Sequence, residues 1–426
     1  MKKRILSFAL ALTLLLPALC SCGEEVRQTA TAPETATQTA AQTETDDRFK
    51  LKVLHPMEKM PDYSLPEGAS IDQMRQMAVQ AMRDELTIPW MPAEGFTYQK
   101  EGTGAGKEFK FPANRVYGGL PYTNGASGLI QFLQSYNFKT GILSGIDFKN
   151  INTTYGNTCA ESVMWGWAAV CPSVRGQYVT WGMTAAQGVY PVGDYTYDFS
   201  IQTFKECSTV KICQNNGKDK MMECYAAVLP ADGLVSAGDG SKVHARMAIE
   251  KANVVRDAAG KIDPEKSTIK MQDQSMGFNE YKIDSQTLNL SGHIDLEVSF
   301  EELYNTAYIP VTTAEFLGQR PYEVAKVEFT GGEISTVDDF LAASVKSNYI
   351  ICAVNLSITD QNGTEHGSQR ILRGKDVLSG EAFDFSLSDF KTPFVRSKGK
   401  GKVQVKLSVA LANGLEFVPF EGEFTL

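Results

Sequence analysis

Apolar positions first fall into a regular pattern at residues 71–86, where Ile71, Met74, Met77 or Ala78, Ala81 and Met82 recur at helical spacing. Ser70 and Gln73 supply a capping box ahead of them, so the pattern predicts an amphipathic helix whose methionines are packing residues. Pro89 and Pro92 stop it, and the glycine-rich stretch 102–106 reads as a loop. A second compact region opens near Phe109 and carries an apolar helix after Cys159. Strand patterns follow at 222–228, 243–255 and 268–274, with a short helical tail beginning at 300–303 and running toward Leu317. Helices early and strands late predict a segregated α+β fold in place of alternating βαβ units.

The pattern changes near Gln319-Arg320-Pro321. Strand-like runs occupy 349–358, 383–387, 402–411 and 415–420, and Val403, Val405, Leu407, Val409 and Leu411 alternate at period two. Asn413-Gly414 is a hairpin signal because both residues tolerate the positive φ of a type I′ turn, and Asn362-Gly363 marks another turn. Short alternating strands over residues 320–426 predict an immunoglobulin-like β-sandwich, with a wall-binding or spacing role. No internal repeat is present.

At the other end, residues 1–21 have a basic start, an apolar run and then small residues, the layout of a secretory signal. Leu19-Cys20-Ser21-Cys22 resembles a bacterial lipobox, which makes Cys22 the expected lipidation site. Residues 22–47 are Thr, Ala, Gln and Glu almost throughout, too polar to offset the entropy of ordering, and predict a flexible tether. The expected compartment is extracytoplasmic, on a bacterial membrane. Residues 48–319 then form the main domain, since 426 residues exceed what one core serves.

The net charge of −9 becomes −12 once Lys2, Lys3 and Arg4 leave with the signal. That balance argues against nucleic acid, and membrane attachment is expected through the lipid alone. Apart from Cys20 and Cys22, the cysteines are Cys159, Cys171, Cys207, Cys213, Cys224 and Cys352. No Cys-x-x-Cys pair exists and no histidine lies near a cysteine at ligand spacing, so neither zinc nor another metal or cofactor is expected. Cys207, Cys213 and Cys224 are close enough for one disulfide, and Cys352 reads as a buried thiol.

Candidate chemistry centres on residues 152–173. Thr158 and Glu161 fit a capping box, which sets Cys159 in the first turn of the helix, where unpaired N–H groups and the helix dipole favour a thiolate. Val163, Trp167 and Val170 back it with an apolar stripe. Among the histidines, His55 lies just past the tether, His293 in a turn-like Ser291-Gly292-His293 and His366 in a polar loop; only His244 begins a convincing strand. The strand at 268–274 could pair beside it and present Gln272, Asp273 or Gln274 to its second nitrogen, fixing the tautomer.

These features together resemble the NlpC/P60 superfamily of papain-like cysteine peptidases and amidases, over roughly residues 71–319. The segment Val116-Tyr117-Gly118-Gly119-Leu120-Pro121-Tyr122 is similar to the family's Gly/Pro/Tyr approach to its site. The resemblance implies Cys159 as nucleophile, His244 as base then acid, and Gln274 as orienting residue, with Gln272 and Asp273 as rivals. It further implies Tyr122, Tyr155 and Trp165 beside the substrate, an oxyanion hole at the Cys159 N–H, and a peptidoglycan stem peptide as partner. Thr158 before the cysteine and Ala160-Glu161 after it depart from the acidic residue and Ser-Gly or Ser-Ala of wall-cutting members. The other readings are a transglutaminase-like acyl transferase with Asp273 as its acid, and a catalytically silent binding lipoprotein.

Overall fold

The computed structural model describes residues 53–100, 107–113, 115–123, 125, 127–144, 156–174, 188–197, 207–238, 240–373 and 382–426. The signal, Cys22, the tether and the 102–106 loop lie outside them. The chain is a mixed α+β structure built on one large sheet and several small ones. No helix among the described residues is long and apolar enough to cross a membrane.

In chain order the first elements are α1 (Ile71–Thr87), β1 (Pro89–Pro92), β2 (Phe96–Lys100), β3 (Lys107–Phe111), β4 (Tyr117–Gly118), α2 (Leu129–Leu133), β5 (Ile142–Leu143) and α3 (Cys159–Ala168). They are followed by β6 (Val189–Pro191), α4 (Thr209–Asn216), α5 (Lys218–Ala226), β7 (Gly233–Ser236), β8 (His244–Ala248), β9 (Thr268–Ile283), β10 (Gln286–Ser299), α6 (Phe300–Asn305) and β11 (Ile309–Thr313). Nine strands form the large sheet in the order β5-β1-β4-β10-β9-β8-β7-β11-β6, antiparallel at its centre and parallel at β1–β5 and β4–β10. Helices α1 and α3 pack on each other and on β8 and β9, while α4, α5 and α6 pack against β7, β10 and β11.

Helix α1 has the expected capping box: Gln73 N donates to Ser70 Oγ at 3.2 Å, and Ser70 N to Gln73 Oε1 at 2.9 Å. Met74, Ala78, Ala81 and Met82 are buried as the spacing requires, whereas Ile71 is exposed. Two charged residues, Arg75 and Glu85, share the buried side. Arg75 pins α1 to the sheet: Nη1 donates to Pro230 O and to Asp232 Oδ1, each at 2.7 Å, and Asp232 accepts again from Thr312 Oγ1 at 2.6 Å. A buried cation persists only when its donors find such acceptors.

Several strand expectations change. Residues 222–228 fall largely in α5, because Met221, Met222 and Tyr225 bury at helical spacing behind Gly217. The strand at 243–255 is confined to β8. The strand at 268–274 extends into β9, which pairs with β10 in a long hairpin turned by Asp284 and Ser285 at φ 47° and 67°. Ser291-Gly292-His293 is therefore a bulged strand and not a turn. Beyond α6, the residues toward Leu317 begin as strand β11 and not as helix.

The remaining elements are β12 (Val327–Thr330), α7 (Val337–Ala342), β13 (Ser344–Ser347), β14 (Ile351–Asp360), β15 (Glu365–Leu372), β16 (Asp384–Ser386), α8 (Lys391–Arg396), β17 (Lys402–Leu411) and β18 (Glu416–Thr425). A three-stranded sheet, β12-β13-β16, and a four-stranded one, β15-β14-β17-β18, share one apolar core. Gly414 turns the last hairpin at φ 85°, but Asn413 keeps a negative φ, so the turn is not type I′.

Strand β17 shows why this region is not a free spacer. Its odd positions, Val403 to Leu411, bury in the core of the two small sheets, while Ala410 and Ala412 join the larger core with Ile350, Cys352 and Ala353. Small side chains on that face allow close approach. Tyr63 N donates to Asn413 O at 2.8 Å and Gln131 Nε2 to Arg373 O at 3.0 Å, so hydrogen bonds reinforce the apolar contact. Scanning calorimetry of the full chain is therefore expected to give one cooperative transition; two resolved transitions would show the regions to be independent.

A buried cysteine helix and a carboxylate with two histidines

Helix α3 begins at Cys159 as the cap pattern predicts: the Thr158 N–H donates to Glu161 Oε2 at 2.7 Å. All ten residues of α3 are buried, so sequence patterning on one face becomes enclosure on every side. Trp167 Nε1 donates to Ala231 O at 2.7 Å. Gly166 lies so close to Met247 that an added Cβ would sit 2.8 Å from Met247 Cε, which fixes the helix against β8. At its other end, Cys159 is 2% exposed and forms a small cluster with Tyr122, flanked by Met276.

Strands β8 and β9 carry the titratable groups. Asp273, wholly buried, lies with Oδ2 at 2.9 Å from His244 Nε2 and 3.1 Å from Arg246 Nε. Its Oδ1 lies 2.8 Å from His293 Nδ1 and 3.2 Å from the His293 N–H. Burial alone would raise the Asp273 carboxyl. Attraction to His244, hydrogen bonds from both histidines and the charge of Arg246 outweigh it, and hold it well below the ordinary 3.8. With the carboxylate ionised, His244 Nε2 and His293 Nδ1 are the protonated nitrogens that donate to it.

The residue bonded to His244 is thus Asp273, and Gln274 is corrected as orienting residue. In a strand neighbouring side chains alternate, so Gln272 and Gln274 turn away from His244. Gln272 Nε2 donates to Val79 O of α1 at 3.0 Å, and Gln274 Nε2 to Leu120 O at 2.6 Å. Gln274 instead fastens the 116–122 segment, which runs beside the chain entering α3: Asn157 N donates to Pro121 O at 3.2 Å and Thr123 N to Asn157 O at 3.0 Å. Gly119 is required in that segment, since its φ is 71° and a Cβ would lie 2.3 Å from Leu86 O.

Cys159 and His244 come from the same end of the sheet. Trp167 is anchored at Ala231, whose N–H donates to Ala248 O at the far end of β8. The β8–β9 register pairs Met247 with Gln272 and Ala248 with Met271, and farther along β9 Met276 flanks Cys159. Met247 and Gln272 face α3 and α1, while His244, Arg246 and Asp273 take the alternate positions.

A second carboxyl stands behind the cysteine helix. Glu85 of α1 accepts from Asn157 Nδ2 at 2.5 Å and from Ser162 Oγ at 2.7 Å, tying α1 to the start of α3. Burial pushes it up to about 8. Its position was legible, since 74, 78, 81 and 85 keep helical spacing on the buried face of α1.

The expected substrate residues fare differently. Tyr122 is buried beside Cys159, and Trp165 is a core residue packed on Gly128, not a surface lining. Tyr155 lies outside the described residues. All six described cysteines are free, so Cys207, Cys213 and Cys224 form no disulfide here. Burial raises the Cys171, Cys213, Cys224 and Cys352 thiols, which marks them as poor nucleophiles. Among the described residues no group of three or more His, Cys, Asp or Glu could hold a metal ion. No family model, curated protein or solved structure matches the chain.

Two outcomes follow. Asp273→Asn, which leaves Arg246 buried beside a neutral partner, is expected to cost about 3–5 kcal/mol in urea unfolding; wild-type stability would remove the carboxylate as a structural centre. The Glu85 carboxyl is raised in the folded state, so its contribution is fully present below its ordinary 4.5 and is lost as pH rises through about 8. Glu85→Gln should therefore flatten the fall in melting temperature over that window, and an unchanged pH profile would contradict the assignment.

Proposed function

We propose that the protein is a cysteine hydrolase that cleaves an amide or peptide bond through a thioester. The observation that carries this reading is a cysteine opening a capped, enclosed helix at the same sheet end as an imidazole held by a buried carboxylate. With Nε2 of His244 engaged by Asp273, Nδ1 is the nitrogen that takes the Cys159 proton as sulfur attacks the carbonyl carbon. The helix-start N–H groups suit the oxyanion. Collapse breaks the C–N bond and His244 H⁺ delivers its proton to the leaving amine; water, deprotonated by His244, then cleaves the thioester and restores the thiol. Asp273 stabilises the imidazolium throughout and needs no proton of its own.

The resemblance to NlpC/P60 enzymes makes a cell-wall stem peptide the proposed substrate class, the main domain a papain-like variant and the C-terminal region immunoglobulin-like. The signal-like start and the Cys22 lipobox support an extracytoplasmic enzyme, lipid-anchored through Cys22 and held off the membrane by the tether. A specific observation favours a second reading: an Asp on the imidazole is the acid expected of a transglutaminase-like enzyme, in which an amine replaces water in the second step.

Cys159→Ala is expected to abolish release of peptide from wall fragments with little change in thermal unfolding, and equal activity in that variant would remove the mechanism. In the intact protein, Cys159 should alkylate selectively near pH 6, and His244→Gln should slow hydrolysis on the order of 10²-fold or more. Inert Cys159 would point to a silent binding lipoprotein. Incorporation of an added primary amine in preference to water would select the acyl-transferase reading.

A further inference from the structure

The buried carboxylate that serves His244 has a second histidine on its other oxygen. His293 spends both its backbone N–H and its Nδ1 on Asp273 Oδ1, while His244 Nε2 and Arg246 Nε share Oδ2. The backbone N–H alone would supply that oxygen with a donor, so the imidazole adds a titratable one. A bulge makes the double contact: the β9–β10 register shifts on both sides of His293, between Leu290 and Gly292 and between His293 and Leu296. Gly292, at φ 156°, passes so close that an added Cβ would stand 2.1 Å from Asp273 O, which only glycine permits. The side chain of Asp273 is 1% exposed, and that of His293 is 35% exposed. His293 therefore joins solvent to a carboxylate that solvent does not reach.

We propose that His293 is a positioning residue for the cysteine chemistry, holding Asp273 toward His244 and setting, through its own proton, how basic His244 is. This rests on the reading of Cys159 and His244 as a catalytic pair. Neutral His293 orients the carboxylate by hydrogen bonding and leaves its charge to His244 and Arg246. Protonated His293 places a second positive charge on Asp273, competes with the His244 imidazolium and lowers the affinity of His244 for its proton. The charged and titratable groups near His293 are Asp273, which it contacts and which also holds His244 and Arg246 of β8, and, beside its β10 neighbours, Tyr281 of β9 on the Ile294 N–H and Arg83 of α1 paired with Asp295.

The test follows the imidazole signals of the full chain, its four histidines isotopically labelled and assigned by substitution, in a Cys159→Ala background. His244 should titrate with a two-step curve. In His293→Asn, which keeps a donor at the Nδ1 position but cannot ionise, the curve should become single and its midpoint rise by about half a unit or more. With Cys159 restored, the acid limb of the hydrolysis profile should lose one ionisation in His293→Asn while turnover is retained. His293→Ala should lower turnover, and Asn should rescue it. Identical His244 curves in the Cys159→Ala parent and in its His293→Asn and His293→Ala derivatives overturn the proposal. Because the titration is read without the thiol, that outcome is distinct from failure of the catalytic reading, which appears as full hydrolysis in Cys159→Ala.

Discussion

A single carboxylate buried in the middle of a sheet has to be surrounded by donors, and the centre of this molecule is arranged around that requirement. Asp273 cannot be hydrated, so four N–H groups from two neighbouring strands converge on its two oxygens. The long β9–β10 hairpin supplies one side and the short strand β8 the other. The β9–β10 bulge, the glycine at its centre and the alternation of β8 all follow from aiming those donors. The same arrangement holds His244 in one tautomer.

The second constraint is the burial of α3 on every side. A helix enclosed in this way needs partners for its polar groups, and α1 provides them through Glu85, which takes Asn157 and Ser162. Arg75 in turn fastens α1 to Asp232 and the β11 side of the sheet. The chain of contacts runs from the sheet through α1 to the first turn of α3, so the position of Cys159 is set by packing and buried hydrogen bonds. The 116–122 segment, tied by Gln274 and Asn157, closes the remaining side.

The C-terminal region belongs to the same body of contacts. Alanines and a cysteine on one face of β14 and β17 lie in the core of the larger region, while the odd positions of β17 fill the core between the two small sheets. One strand with two apolar faces serves two cores, in contrast to an edge-exposed module on a linker.

Local chemistry was enough to read α1 and its cap, the cap of α3 with Cys159 in its first turn, β17 and the α+β class. Each of these depends on neighbours within a few positions, where spacing and capping act directly. Tertiary structure decided what depends on distant partners. It made residues 222–226 helical by packing Met221, Met222 and Tyr225, and it paired residues 286–299, whose apolar 288, 290, 294, 296 and 298 already alternate, with β9 in one long hairpin. It chose Asp273 over Gln272 and Gln274 because strand alternation and register, not residue type, determine which of three adjacent side chains meets His244. His293 joined the site for the same reason: a bulge across the hairpin, invisible along the chain, turned a turn-like histidine onto the second oxygen of the buried carboxylate.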